Sequence, residues 1–319
     1  MHDREQLCAA QHFGYWMVSP KWMNDAVAAY RSGMLARPGV GAREPRPMPT
    51  AESGTPKTVH YGYDADGNPK PLYTVDETGV ALIGIQGQIT KGESSFGGTS
   101  SVRTRRALRT AERDQDATGI MLSIDSPGGT VSGQYEFAEE IYRIRKAGIK
   151  PIHTYASSGM HSAALWAGVQ AGRVTAGPMT EIGSIGTVMA VYDYSEAYEK
   201  EGIKAHVIST GEMKGAGAAG TEITDVMLEE WRSRVEEVNQ FFLDAVKRGR
   251  GMSASAVKSL ADGRDWMAKD AAGHGLIDGV ESFDQAMNSL RKASKERRQD
   301  REARSRRTAR MTKLSELGA

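Results

Sequence analysis

The stretch Ile124-Asp125-Ser126-Pro127-Gly128-Gly129 constrains this chain more than any other. It closes an apolar run, Gly119-Ile120-Met121-Leu122-Ser123-Ile124, whose composition and turn-rich end fit a buried strand. Paired glycines directly after such a strand leave backbone N–H groups uncovered and admit another group at short range. The proline fixes the approach, and a helix expected over about 131–146 points its positive end at the same turn. Donors aimed this way suit charge that develops only during a reaction, as in an oxyanion hole. A plain tight strand-to-helix connection has the same composition.

A second junction of this kind follows about thirty residues later. Pro151-Ile152-His153-Thr154-Tyr155-Ala156 reads as a strand, Ser157-Ser158-Gly159 as the turn, and Met160-His161-Ser162-Ala163-Ala164-Leu165-Trp166-Ala167-Gly168 as a small-residue helix. A serine at such a junction is either a helix N-cap or a nucleophile facing a cleft, with the Gly159 N–H as a second oxyanion donor. Further on, Gly183-Ser184-Ile185-Gly186 supplies closely packed backbone. Ser209-Thr210-Gly211-Glu212-Met213-Lys214-Gly215-Ala216 then places a lysine in a glycine-rich loop after an expected strand, Ala205–Ile208.

Taken in order, Ser-Pro-Gly-Gly, Tyr-Ala-Ser-Ser-Gly, Gly-Ser-Ile-Gly, Gly-Glu-Met-Lys and the stretch from Gly263-Arg264 to Ala271-Ala272-Gly273-His274-Gly275-Leu276-Ile277-Asp278 resemble the signal peptide peptidase A group of serine peptidases. The resemblance covers about residues 78–285. It implies an α/β chain with a crotonase/Clp-protease-like fold of repeated ββα units and parallel sheets. It also implies a nucleophile at Ser158, a general base at Lys214, and oxyanion donors on the backbone of Gly128 or Gly129 and of Gly159. The chemistry of the residues agrees. A serine hydroxyl needs a neighbouring base, and a lysine amine serves only when neutral. Burial lowers a lysine pKa, and the flanks Met213, Gly215, Ala216, Gly217, Ala218 and Ala219 are uncharged. An ordinary surface lysine is the alternative.

Other constellations compete. His161 with Asp125 and a serine would make a triad, Lys91 is a second candidate base, and Asp125 could instead organise the backbone of its turn. His153 reads as a half-buried strand residue. The seven histidines show no metal-ligand spacing, and a single cysteine, Cys8, supports neither a zinc site nor a disulfide framework. The expectation is therefore no cofactor and no metal.

The chain divides into an N-terminal helix and Pro-rich linker (1–57), a Ser/Lys peptidase domain (58–288) and a basic tail (289–319), disordered or helical. Within the first part an amphipathic helix is expected at Asn24–Leu35, and Val59–Tyr63 with Leu72–Val75 reads as a hairpin. From Val80 strand and helix patterns alternate, the signature of parallel βαβ units. Thr224–Arg248 reads as a long helix with an apolar stripe, for core packing or subunit contact. Residues 291–319 carry a net charge of +7 in a chain of +1 overall. That run is a solvated helix or disordered arm, without the aromatic interleaving of a nucleic-acid module.

No run of 18 or more apolar residues and no leader pattern is present, whereas bacterial signal peptide peptidases are anchored in the membrane. Together these features resemble the head-maturation proteases of tailed phages. That resemblance implies a homo-oligomeric endopeptidase cutting scaffold, capsid or portal proteins, and itself, in the host cytoplasm or prohead interior. A cytosolic bacterial peptidase of the same chemistry, an acyl-CoA enzyme on the related fold and a non-catalytic capsid assembly factor are the alternatives. Cleavage specificity, autocleavage points and oligomer size are not readable from the residues.

Overall fold

The computed structural model describes residues 16–18, 58–63, 68–94 and 97–317. In chain order the strands are β1 (Trp16–Val18), β2 (Thr58–Tyr63), β3 (Pro69–Val75), β4 (Val80–Gln86), β5 (Ile89–Thr90), β6 (Thr99–Ser100), β7 (Gly119–Ser126), β8 (Gly128–Thr130), β9 (Ile152–His161), β10 (Arg173–Ala176), β11 (Glu181–Gly183), β12 (Asp265–Met267) and β13 (Gly279–Val280). The helices are α1 (Ser101–Arg113), α2 (Gln134–Ala147), α3 (Ala163–Gly168), α4 (Ser195–Lys200), α5 (Asp225–Arg250), α6 (Ala254–Ser259), α7 (Ala268–Gly273) and α8 (Phe283–Leu317).

The main sheet has the order β12-β11-β9-β7-β4-β3-β2, with β10 paired to β9 and β13. Its centre is parallel: β4 with β7, β7 with β9, and β9 with both β10 and β11. The hairpin β2–β3 and the pair β11–β12 are antiparallel. The chain is thus mixed α/β with a largely parallel central sheet, as the alternating pattern from Val80 requires. Strand β7 explains why. It is covered on both faces, so its residues run apolar without alternation. Ile120, Leu122 and Ile124 lie in one core with Ile83, Ile85, Leu108, Phe137 and Ile141.

A second, four-stranded sheet, β1-β8-β5-β6, sits at the carboxyl end of β7. Helix α3 packs between the two sheets, against β7, β8 and β9. All six of its residues are buried, which is why the segment reads as small and apolar all round. Trp166 of α3 stacks on Phe242 of α5 at 5.3 Å between ring centroids, anchoring the second half of α5 to the core.

The structure bears on three expectations. Ala205–Ile208 forms no strand. The boundary at 288/289 falls inside α8, which starts at Phe283 and buries Ala286, Met287 and Leu290 before becoming a solvated basic helix. Of the apolar stripe on the long helix, only Phe242 and Ala245 enter the core, while Val226 and Phe241 are exposed. The helix expected at Asn24–Leu35 and the linker lie outside the described residues.

Candidate active site

The turn after β7 is organised by Ser126. Its hydroxyl donates to the Gly87 carbonyl at 2.6 Å and accepts the Gly128 N–H at 3.2 Å. Asp125 stands in β7 opposite Gln86 of β4, and its main-chain carbonyl, not its carboxylate, accepts the Gly87 N–H at 2.9 Å. Gly128 is thereby engaged within the turn and takes φ +103°, a value reserved largely for glycine. At Gly129 a Cβ would lie 1.8 Å from the Ile89 carbonyl oxygen, so the β5–β8 approach admits no side chain. The Ser-Pro-Gly-Gly signature is therefore explained by packing as well as by chemistry.

The second junction lies further along than the sequence suggests. Strand β9 continues through Ser157, Ser158 and Gly159 to His161, and α3 begins only at Ala163. The strand changes partner on the way, pairing with β10 as far as Ala156 and with β11 from Gly159. Ser158 is exposed at that change of partner, and Gly159 stands in the ladder opposite Glu181. Neither is at a helix start.

Ser162 is. It precedes α3 with φ 51° and ψ −116°, a conformation that costs a non-glycine residue about 1–3 kcal/mol. Two contacts impose it: its N–H donates to the Gly183 carbonyl at 2.8 Å, and Gln134 Nε2 donates to the Ala163 carbonyl at 2.6 Å. The hydroxyl has one long contact, 3.5 Å to the Gly186 carbonyl. A serine held on a strained strand-to-helix turn is the geometry of a nucleophile elbow. The Ala163 N–H follows it at the first position of α3, where helical N–H groups lack intrahelical partners. The sequence signal missed was the triplet Ser162-Ala163-Ala164, in which small residues let the backbone close round the serine. Gln134 and Ser126 carried no recognisable signal.

The candidate bases are not gathered here. Lys214 lies in a 3-10 turn, Glu212–Gly215, and is exposed; its N–H donates to the Gly211 carbonyl at 3.1 Å, while its ammonium pairs with no side chain among the described residues. Its loop is pinned locally, with Gly215 against Val207 and Gly217 against Trp231. Lys91 is exposed, its aliphatic stem beside Gly133. His161 pairs through Nδ1 with Asp265 at 2.8 Å and not with Asp125, so the triad weighed from sequence is not assembled. His153 is buried in β9, more deeply than expected; desolvation and then the Arg173 guanidinium hold its pKa down at about 4.

Residues 144–297 match the model of peptidase family S49. Protease 4 of Haemophilus influenzae is 27% identical over 219 residues, covering 69% of this chain and 35% of the relative. A putative signal peptide peptidase SppA of Enterococcus faecium is 29% identical over 188 residues, 59% of this chain and 54% of the relative. Capsid assembly protease C of Escherichia phage lambda is 28% identical over 224 residues, 69% of this chain and 50% of the relative. The chain thus spans between about a third and just over half the length of these relatives. Ser162 and Lys214 both fall inside the region, just under half of the chain, that is similar to peptidase family S49.

Proposed function

We propose that this protein is a serine endopeptidase with Ser162 as nucleophile and Lys214 as general base, on a crotonase/Clp-protease-like fold. The strained conformation of Ser162 at the head of α3 is the observation that carries this reading. Lys214 accepts the hydroxyl proton as Oγ attacks a peptide carbonyl, and the oxyanion is met by the N–H groups of Ala163 and Gly129. Lys214 then protonates the leaving amine, and water resolves the acyl-enzyme. Of the two glycines in the turn, Gly128 already gives its N–H to Ser126, which favours Gly129 as donor.

Self-association belongs to the proposal. The segment around Lys214 exposes Val188, Tyr192, Val207, Ile208, Val226 and Phe241, with Ile208 98% accessible. Burying these side chains against a second copy removes apolar surface from water and desolvates Lys214, the condition under which its amine is neutral.

The likeness to a phage capsid assembly protease favours scaffold, capsid or portal proteins as substrates, with the enzyme in the prohead or host cytoplasm. The likeness to a putative signal peptide peptidase is of equal strength and favours signal peptides. No helix among the described residues is long and apolar enough to cross a membrane. Incubating purified chain with a capsid scaffold protein and, separately, with a signal peptide tests both, read by mass spectrometry. Cleavage of the scaffold alone supports the phage reading; cleavage of the signal peptide alone overturns it. Cleavage of neither by wild type, at any protein concentration, overturns the peptidase.

A further inference from the structure

Strand β1 is out of place for a structural strand. It comes from a segment more than a hundred residues upstream of β8, yet it pairs with β8 antiparallel in three consecutive positions: Trp16 with Thr130, Met17 with Gly129, and Val18 with Gly128. The opposite edge of β8 is taken by β5, which pairs parallel through Ile89 and Gly129. Strand β8 therefore has one edge to offer a peptide, and β1 occupies it.

That edge is where a substrate has to lie. Its residues are the two glycines beside the candidate oxyanion hole, and α3, headed by Ser162, packs directly against β8. A peptide presented to Ser162 in extended form gains main-chain hydrogen bonds only by adding a strand there, since β-addition needs a free row of N–H and C=O groups.

We propose that β8 binds extended polypeptide segments by antiparallel strand addition, and that residues 16–18 of this chain are the resident occupant, a substrate mimic that holds the site closed. The inference rests on the Ser162 reading for its catalytic consequence but not for the strand contact itself. Tethering makes binding of the resident segment intramolecular, so a free substrate competes at a disadvantage. Three residue pairs make a short strand, which fits an occupant that can be displaced.

The test compares the full wild-type chain with a full-length Trp16→Pro/Met17→Pro/Val18→Pro variant, because prolines remove the N–H groups a ladder needs. Amide hydrogen exchange at Gly128–Thr130 reads the strand contact, and the rate of Ser162 modification by a fluorophosphonate reads access to the site. In the variant both are expected to rise, labelling by roughly tenfold. A synthetic peptide of residues 12–22 should restore protection in the variant and slow its labelling. In wild type the same peptide should have little effect, a comparison that does not depend on how the variant folds. Unchanged exchange at Gly128–Thr130, or a peptide without effect on the variant, overturns the inference. Restored protection with no labelling of any chain supports strand addition and overturns Ser162 as nucleophile.

Discussion

The backbone N–H of Ser162 donates to the carbonyl of Gly183 at 2.8 Å, tying the turn before α3 to the end of β11. This bond fixes the one serine of the junction whose backbone is strained. Ser158, four residues earlier, lies in an ordinary strand and faces solvent. Ser162→Ala should therefore reduce peptide hydrolysis by about 10⁴ or more without changing the unfolding midpoint, while Ser158→Ala keeps most of the activity. The reverse pattern in a kinetic comparison would return the nucleophile to Ser158.

Ser126 joins the ends of two strands through its hydroxyl, to Gly87 on one side and Gly128 on the other. Ser126→Ala leaves the buried Gly128 N–H without its acceptor and frees the Gly87 carbonyl at the surface. The expected loss is about 1–3 kcal/mol in urea unfolding, with kcat reduced more than KM is raised, because the oxyanion turn loosens. A variant with wild-type kcat would show that the turn holds its shape without the hydroxyl.

Gly129→Ala should be more damaging than any other small change at the site. The added methyl meets the Ile89 carbonyl at a distance no packing tolerates, and the obstacle is backbone rather than a movable side chain. We expect about 3 kcal/mol of destabilisation or more and loss of fluorophosphonate labelling. Circular dichroism melts and labelling should fall together.

His153 makes stability depend on pH. Burial first, and Arg173 second, hold its folded-state pKa at about 4, below its ordinary value near 6.5. Between these values the unfolded chain binds the proton and the folded chain does not, so stability falls as pH falls through the window. The contribution lost by the lower end is about 3 kcal/mol. Urea unfolding of wild type and His153→Asn from neutral pH down to about pH 4 should show a shallower decline in the variant. Parallel declines would place the acid sensitivity elsewhere.

Ile208→Asp should disperse any assembly built on the exposed apolar segment around Lys214. Sedimentation of the variant is expected to show single chains with little hydrolysis, while its melting temperature stays within a few degrees of wild type, since the side chain is outside the core. An unchanged oligomer would remove this surface from the interface.

Much of the architecture was legible in the residues. The unbroken apolar run of β7 implied a strand covered on both sides, and the alternation after Val80 implied a parallel sheet. Thr224 was the expected start of the long helix, and its hydroxyl accepts the Met227 N–H as its cap. The position of the Ser-Pro-Gly-Gly turn was equally plain, because the required backbone conformations restrict residue type so strongly.

What the chain order alone could not decide was where a strand stops. Tyr155-Ala-Ser-Ser-Gly contains turn-forming residues, yet pairing with β11 carries β9 on to His161. Tertiary hydrogen bonding outweighed local propensity by a few residues and put the strand-to-helix turn at Ser162 rather than at Ser157–Gly159. Likewise His161 met Asp265, which lies 104 residues away, rather than the nearer Asp125. The pairing of β1 with β8 had no signal at all in residues 16–18, because strand addition reads main-chain groups that every residue carries. Sequence by itself determined the elements and the turn chemistry, through residue-specific limits on backbone and burial. Which serine is strained, which edge is covered and which charges meet were decided by long-range packing, which no local pattern encodes.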